Sequence, residues 1–290
     1  MTDTMKNYQS FQDRNGVDIP TDWRFSFAEQ QIFDTYGDKV SVVQKLKPLT
    51  KWGRNEAVGT TRATIMTLGA AITQETFLTA DTALAMSSSS TNDTTQTLNL
   101  FEGHTSSGDD LTFVVASNTG LTLNGQSAVP LTNLDRTRLS RARMSLPVEG
   151  DIYFYEAGTS LSSGVPTDLT KVHMMIPAGE IQTQKASTSI SSVDYYIITN
   201  WSAGVLEKTA AYAQARIEIR PWTDDNIDSW YPITKWLAIE SGSGRYGIGE
   251  HSPFLIVPKN YDVRMTAIAG AAGIDVVGGI EGFLANIITT

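Results

Sequence analysis

The run DRTRLSRARM at residues 135–144 places four guanidiniums in eight positions, at Arg136, Arg138, Arg141 and Arg143. Guanidinium forks bind carboxylates and phosphates in bidentate fashion. The chain around them is acidic, with a formal net charge of -9, and that sign repels nucleic-acid backbones and anionic lipid. Nucleic acid and membrane surfaces are therefore poor general partners. The four arginines are expected to meet carboxylates, either of an adjoining chain or of this one. In an extended strand Arg136 and Arg138 would face one side, and Arg141 and Arg143 the other.

A second cluster, RPWTDDNIDSWYP at 220–232, sets Trp222, Trp230 and Tyr231 beside Asp224, Asp225 and Asp228. Aromatic faces next to carboxylates make a carbohydrate surface, with Trp222, Asp224, Trp230 and Tyr231 as its candidate residues. Two carboxylates about 5 to 10 Å apart would be needed for a glycosidase. The favoured expectation is a loop whose aromatics pack beneath it or against a neighbouring subunit. Calcium binding by the three aspartates lacks the EF-hand spacing.

Other chemistry is thinly represented. His104, His173 and His251 are far apart in sequence and show no zinc-ligand spacing, so they are expected at the surface or at an interface. The absence of cysteine removes disulfides, thiolate metal sites and cysteine nucleophiles. There is no G-x-S-x-G elbow. The Gly-rich run ESGSGRYGIG at 240–249 lacks the Lys-Ser/Thr ending of a phosphate loop and is expected to be a hairpin tip. No catalytic residue, metal or cofactor is expected, and the chain is read as non-enzymatic.

The elements that would carry these groups are strands. Short β-branched or aromatic runs, such as GDIYFYEAG, SSVDYYIITNWSAG and ARIEIRPW, are separated by Gly, Ser, Asn, Asp or Pro. Their rhythm predicts an all-β protein, an antiparallel β-sandwich of jelly-roll-like form. Asn124-Gly125 is expected to fill both central positions of a type I′ hairpin turn. Upstream, residues 1–23 read as an extended arm, and Phe25, Ala28, Ile32 and Tyr36 fall at helical spacing before Gly37. Residues 46–59, cut by Pro48, read as a loop or an edge segment. The chain thus divides into an arm, short helix and connecting segment at 1–60 and a sandwich domain at 61–290. Within 259–290, Tyr261, Val263 and Met265 alternate with Asp262, Arg264 and Thr266. That strand is expected to bury one face, leave Asp262 and Arg264 wet or facing a partner, and return in a closing hairpin past Gly270 to Gly273. The first 20 residues carry acids where a secretory signal needs a basic then an apolar run, so a cytoplasmic, soluble product is expected.

The order of motifs carries a resemblance. LTLNGQSAVPL, TRLSRARM, GDIYFYEAG, IPAGEIQTQKAS, YYIIT, PFLIVPKNYDVRMTAIA and VVGGIEGFL follow one another, with KPLTKWGRNEAVGT upstream. In this the chain resembles structural proteins of tailed bacteriophages, those of marine phages in particular, over roughly residues 46–287. The resemblance implies a virion protein assembled in the host cytoplasm, a capsid decoration or cement protein bound to the major capsid protein or other virion proteins. It also implies an oligomer, with a trimer favoured. Arg136, Arg138, Arg141, Arg143, Phe25 and Trp52 are then the interface candidates. A receptor- or carbohydrate-binding fibre or collar protein is the alternative, and a glycan-cleaving depolymerase a third reading.

Overall fold

The computed structural model describes residues 10–12, 18–20, 40–68, 75, 77–78, 80–106, 110–114, 120–132, 134–206, 211–222, 230–240 and 247–289, and gives side chains from residue 47 onward except at 110–114, 247–254 and 287–289. The helix expected at 25–36, with Phe25, lies outside the described residues, as do Asp224, Asp225, Asp228 and the 241–246 tip. So does the side chain of His251.

The chain is nearly all β. In order, its strands are β1 (Ser10–Gln12), β2 (Asp18–Pro20), β3 (Val40–Val58), β4 (Ala63–Thr64), β5 (Leu84–Ser88), β6 (Leu98–His104) and β7 (Asp110–Val114). There follow β8 (Val129–Pro130), β9 (Arg138–Met144), β10 (Ile152–Glu156), β11 (Leu161–Ser162), β12 (Val165–Pro166) and β13 (Val172–Ile176). The last third supplies β14 (Ser187–Ser189), β15 (Asp194–Val205), β16 (Tyr212–Pro221), β17 (Tyr231–Pro232), β18 (Leu237–Glu240), β19 (Gly247–Val257), β20 (Tyr261–Ala269) and β21 (Ile274–Thr289). All pairings are antiparallel. Among the described residues no helix is long and apolar enough to cross a membrane.

Alternating side chains sort the strands into two sandwiches. In the first, sheet β13-β10-β5-β8 faces sheet β7-β6-β9, and Met86, Phe154 and Ile176 meet Leu98, Phe101 and Ala142 between them. In the second, sheet β14-β20-β16-β17, flanked by β4 and β18, faces sheet β19-β15-β21-β3. Ile217, Val263 and Met265 there meet Tyr196, Trp201, Val276 and Ile280. A third apolar cluster, with Tyr153, Tyr155 and Met175, covers the outer face of β10 and β13 against Met66 and Leu68. This is why β5, β10 and β13 are apolar on both faces.

Chain order and core membership do not run together. The first sandwich, β5 to β13, is inserted between β4 and β14 of the second. A division at residue 60 therefore does not separate two bodies: β3 pairs along its length with β21, and Val58 and Val263 share one core. Residues 46–59 do form an edge, since β3 pairs with β21 alone among the described strands, and Pro48 is tolerated there because an edge leaves its missing N–H without a ladder partner. Within the expected arm, β1 and β2 pair as a small hairpin, Phe11 opposite Ile19.

Two local expectations are corrected, and one strand departs from strict alternation. The turn after β7 has Gly125 as its first central residue, at φ 55°, and only Gly125 of the Asn-Gly pair is left-handed; Ser127 donates to the Asn124 carbonyl at 3.1 Å. The frame sits one residue later than a type I′ turn on Asn-Gly because the Gly125 N–H is engaged by the Asp93 carbonyl. Second, β20 and β21 are not a hairpin. They belong to facing sheets, so Gly270 to Gly273 is an arch that carries the chain across the core, with Gly273 at φ 77°. That strand, β15, holds Tyr196, Ile198, Trp201 and Ala203 in one core, although strict alternation would split even from odd. A bulge between Ile198 and Asn200 resets the parity.

Close backbone approach explains two glycines. A Cβ on Gly53 would lie 2.2 Å from the Ile65 carbonyl oxygen and 2.4 Å from the Ala186 nitrogen, and one on Gly282 would lie 2.0 Å from the Ile197 oxygen. At Gly279 the nearest atom is 3.4 Å away. Gly53→Ala and Gly282→Ala are expected to lower the unfolding free energy by about 1–3 kcal/mol, and Gly279→Ala by less than about 0.5 kcal/mol, in urea titrations.

Candidate functional site

β16 and β20 lie side by side with one face in the second core. Their other face carries charge in complementary order: Glu218 stands opposite Arg264, and Arg220 opposite Asp262. On β14, Ser187 and Ser189 continue the two rows beside Arg264 and Asp262. This face is not solvated. β9 of the first sandwich lies against β14, and the connection from β4 to β5 brings Glu75, Phe77 and Leu78 to the same place. Asp262 and Glu218 are each 0% exposed and Arg264 1%.

Asp262 accepts from Arg138 Nε at 3.1 and 3.2 Å, from Arg220 Nη2 at 3.1 Å and from the Ser189 hydroxyl at 2.6 Å. Arg138 belongs to β9, so this carboxylate ties one sandwich to the other. Burial pushes the Asp262 carboxyl up, while Arg138, Ser189 and Arg220 pull it down. Glu218 accepts from Arg264 at 3.1 and 2.9 Å on one oxygen and from Arg216 at 2.8 Å and Arg62 at 3.2 Å on the other. Burial brings the Arg264 guanidinium down to about 10, against the raising effect of Glu218. Lys185 pairs with Glu75 and also donates to the Leu139 carbonyl of β9.

Aromatic rings cover the cations. Arg264 and Arg220 lie over Trp230 at 3.9 and 4.9 Å, Arg216 over Trp236 at 4.2 Å, and Arg138 over Phe77 at 5.1 Å and Trp222 at 5.6 Å. A desolvated cation over a ring gains on the order of 2 kcal/mol, which offsets part of the cost of removing it from water.

Where the two sandwiches part, the layer opens into a cleft of about 270 Å³, bounded by residues 47–51 of β3, 102–104 of β6, 140–141 of β9, by Thr188, Ser189 and Ser191, and by Leu284 of β21. Lys51 projects into this region, buried at 4% exposure, and donates to Glu102 at 3.2 Å and to the Ser140 carbonyl at 3.3 Å. Burial lowers its pKa to about 8; Glu102 opposes that, and Lys185 and Arg141 add to it. His104 Nε2 lies 2.9 Å from the Ser189 carbonyl oxygen.

The residues singled out from sequence have separate fates. Arg136 and Arg138 are buried at 4% and 2%, and Arg138 takes the intramolecular alternative, with Asp262 as its carboxylate. Arg141 is half-buried and donates to Gln182 at 2.7 Å, whereas Arg143 is exposed. The expected split of Arg138 from Arg141 and Arg143 does not hold: Leu139, Ala142 and Met144 share one core, and the register shift of β9 against β6 between Glu102 and Gly103 puts the three arginines together on the face turned away from it. Trp52 is 45% exposed. Trp230 is not a free sugar platform, because it is 5% exposed and guanidiniums cover it; Trp222 packs on His104, ring centroids 5.6 Å apart. Tyr231 is 56% exposed. His104 and His173 are not at the surface, at 7% and 4%: His104 on β6 meets Ser189 of β14, and His173 on β13 lies beside Glu75, Phe77 and Lys185. Asp262 and Arg264, expected wet or partner-facing, are fully enclosed by this chain. Lys51, Glu218 and Lys185 were not singled out. The signal that could have found Glu218 was alternating sign on two strands, R-I-E-I-R and D-V-R, which pair opposite charges when laid antiparallel.

No protein-family model matches the chain, and no curated protein matches it. Among solved structures, a chain of infectious bursal disease virus, Gt strain, is 12% identical over 91% of this chain and 78% of that one, with a TM-score of 0.21. The tandem CBM22 domain of Paenibacillus barcinonensis Xyn10C is 11% identical over 86% of this chain and 95% of its own, with a TM-score of 0.22. The VP2 subviral particle of infectious bursal disease virus gives 13%, 91%, 77% and 0.20 in the same order. At TM-scores near 0.2 these likenesses carry no argument about function.

Two outcomes follow from the charged layer. Asp262→Ala leaves Arg138 and Arg220 buried without their carboxylate and is expected to cost about 3–5 kcal/mol, while exposed Arg143→Ala stays within about 0.5 kcal/mol, both read by urea unfolding. Lys51 has a folded pKa of about 8 against the ordinary lysine value of 10.5, so the unfolded chain holds more protons between those values and stability rises with pH there. The difference in unfolding free energy between wild type and Lys51→Met is expected to shift by about 2 kcal/mol in favour of the wild type from about pH 7.5 to about pH 10.

Proposed function

We propose that this chain is a non-enzymatic structural protein of a bacteriophage virion, a decoration or cement protein that sits on the capsid and stabilises it. The order of motifs over residues 46–287 suggests the class. The observation that carries the reading is where the buried ionic groups go: Asp262 with Arg138 ties one sandwich to the other, and Glu218 and its arginines pair within the second. A protein built this way works as a stiff body that binds through its outer surface.

Trp52 is the foremost contact residue of that surface. It stands on the outer face of β3, between inward-facing Lys51 and Gly53, and is 45% exposed. Tryptophans of this kind anchor interfaces. A shell under pressure from packed DNA gains from clamps bound across capsomer boundaries, since a modest interface repeated many times stabilises by mass action. The partners are then the major capsid protein or other virion proteins, and further copies of this chain, a trimer being the favoured assembly. The carbohydrate reading is weaker here, because Trp230 lies under Arg264 and Arg220.

Counting copies on particles by cryo-microscopy tests the role: on the order of hundreds per head are expected for decoration, and about a dozen or fewer would move the protein to a collar or tail. In co-sedimentation with heads that lack the protein, Trp52→Ala is expected to weaken binding by about 2 kcal/mol or more while leaving the unfolding midpoint nearly unchanged. Unimpaired attachment would remove β3 from the interface.

A further inference from the structure

The cleft between the sandwiches has properties that the joining of two bodies does not require. A seam that only holds sandwiches together closes on itself, as it does around Asp262. Here it leaves about 270 Å³ open. Clefts between packed bodies are favoured places for small ligands. This one has room for about one small molecule, and Thr50, Ser140, Thr188 and Ser191 are among its lining residues. Pro48, Leu49 and Leu284 supply an apolar side to it.

Its charge selects a sign. Lys47, Lys51 and Arg141 line it against one carboxylate, Glu102. Lys51 is enclosed, with its ammonium held by Glu102 and the Ser140 carbonyl, so the cation sits in a fixed place. At Lys51 burial acts first against the charged form, Lys185 and Arg141 add to it, and Glu102 favours it. In a chain with a net charge of -9, a fixed cationic recess with hydroxyls around it is a selective device. It favours a ligand that brings negative charge and hydrogen-bonding groups together.

We propose that this cleft is a binding site for a small anion, a carboxylate or phosphate carried on a polyol of about the size of one sugar. Arg141 and Lys47 meet the anionic group from the mouth, Lys51 from the floor, and the hydroxyls of Ser140 and Thr188 take the ligand's own hydroxyls. The site does not depend on where the protein sits in a particle.

The test is a titration of the full chain, followed by amide chemical shifts, with glucuronate, inorganic phosphate and glucose as the neutral counterpart. Saturable shifts centred on Lys47 to Lys51 and on Ser140 and Arg141 are expected with at least one of the two anions, at a dissociation constant on the order of 1 mM, and none with glucose. Tighter binding of glucuronate assigns a carboxylate ligand; tighter binding of phosphate assigns a phosphate one. Arg141→Gln and Lys47→Gln are each expected to weaken binding about tenfold with the unfolding midpoint held, and exposed Lys47 serves where Arg141→Gln perturbs the fold. No saturable shift with either anion would overturn the proposal. So would equal binding of glucose, or binding that neither substitution changes.

Discussion

Two carboxylates with no access to water, Asp262 and Glu218, set the terms for the rest of the molecule. Removing one ion from water costs several kcal/mol even after relaxation, so each must find its counter-charges inside the protein. Asp262 finds Arg138 and Arg220, and Glu218 finds Arg264 and Arg216. Arg138 comes from the other sandwich, and Glu75, which partners Lys185, comes from the connection between them. The two bodies must therefore stay in register, because sliding one past the other would strand charges in a dry layer. Apolar packing alone would not impose that, since it is tolerant of small shifts and indifferent to direction.

This division of labour explains the character of each sheet. The sheet of β16 and β20 keeps Ile217, Val263 and Met265 for its own core and offers charge to its neighbour. The sheet of β10 and β13 buries apolar groups on both faces instead. Aromatic side chains that suggest a ligand platform in isolation, Trp222 and Trp230, serve as low-dielectric covers over guanidiniums. The layer also holds more cations than carboxylates, and where it meets solvent the excess appears as the Lys51 and Arg141 side of the cleft. Structural joint and candidate ligand site are thus two ends of one polar layer.

The strands were legible in the sequence because alternation is a local property. GDIYFYEAG and ARIEIRPW read directly as β10 and β16, whereas the stretch around Pro48 read as either a loop or an edge segment and is part of one long edge strand. What alternation cannot report is which face meets water. Asp262 and Arg264 look like the wet side of a surface strand, and only the insertion of β5 to β13 between β4 and β14 turns that side inward. The same insertion buries His104 and His173. The separation of β20 from β21 was hidden for a related reason: Gly-rich connections serve hairpins and arches alike, and the choice is made by which sheets have room for the strands. The outward side of Trp52 was not legible, because it follows from the contacts that hold Lys51 and Gly53 inward on β3.

The central claim is that the polar layer makes two apolar cores into one cooperative body. Native-state hydrogen exchange reads this directly, through the amides of β10 in the first sandwich and β20 in the second. If the claim holds, the slowest amides of both strands exchange with a common opening free energy in the wild type, and Asp262→Asn splits them into two values. Separate opening energies for β10 and β20 in the unmodified protein would contradict it.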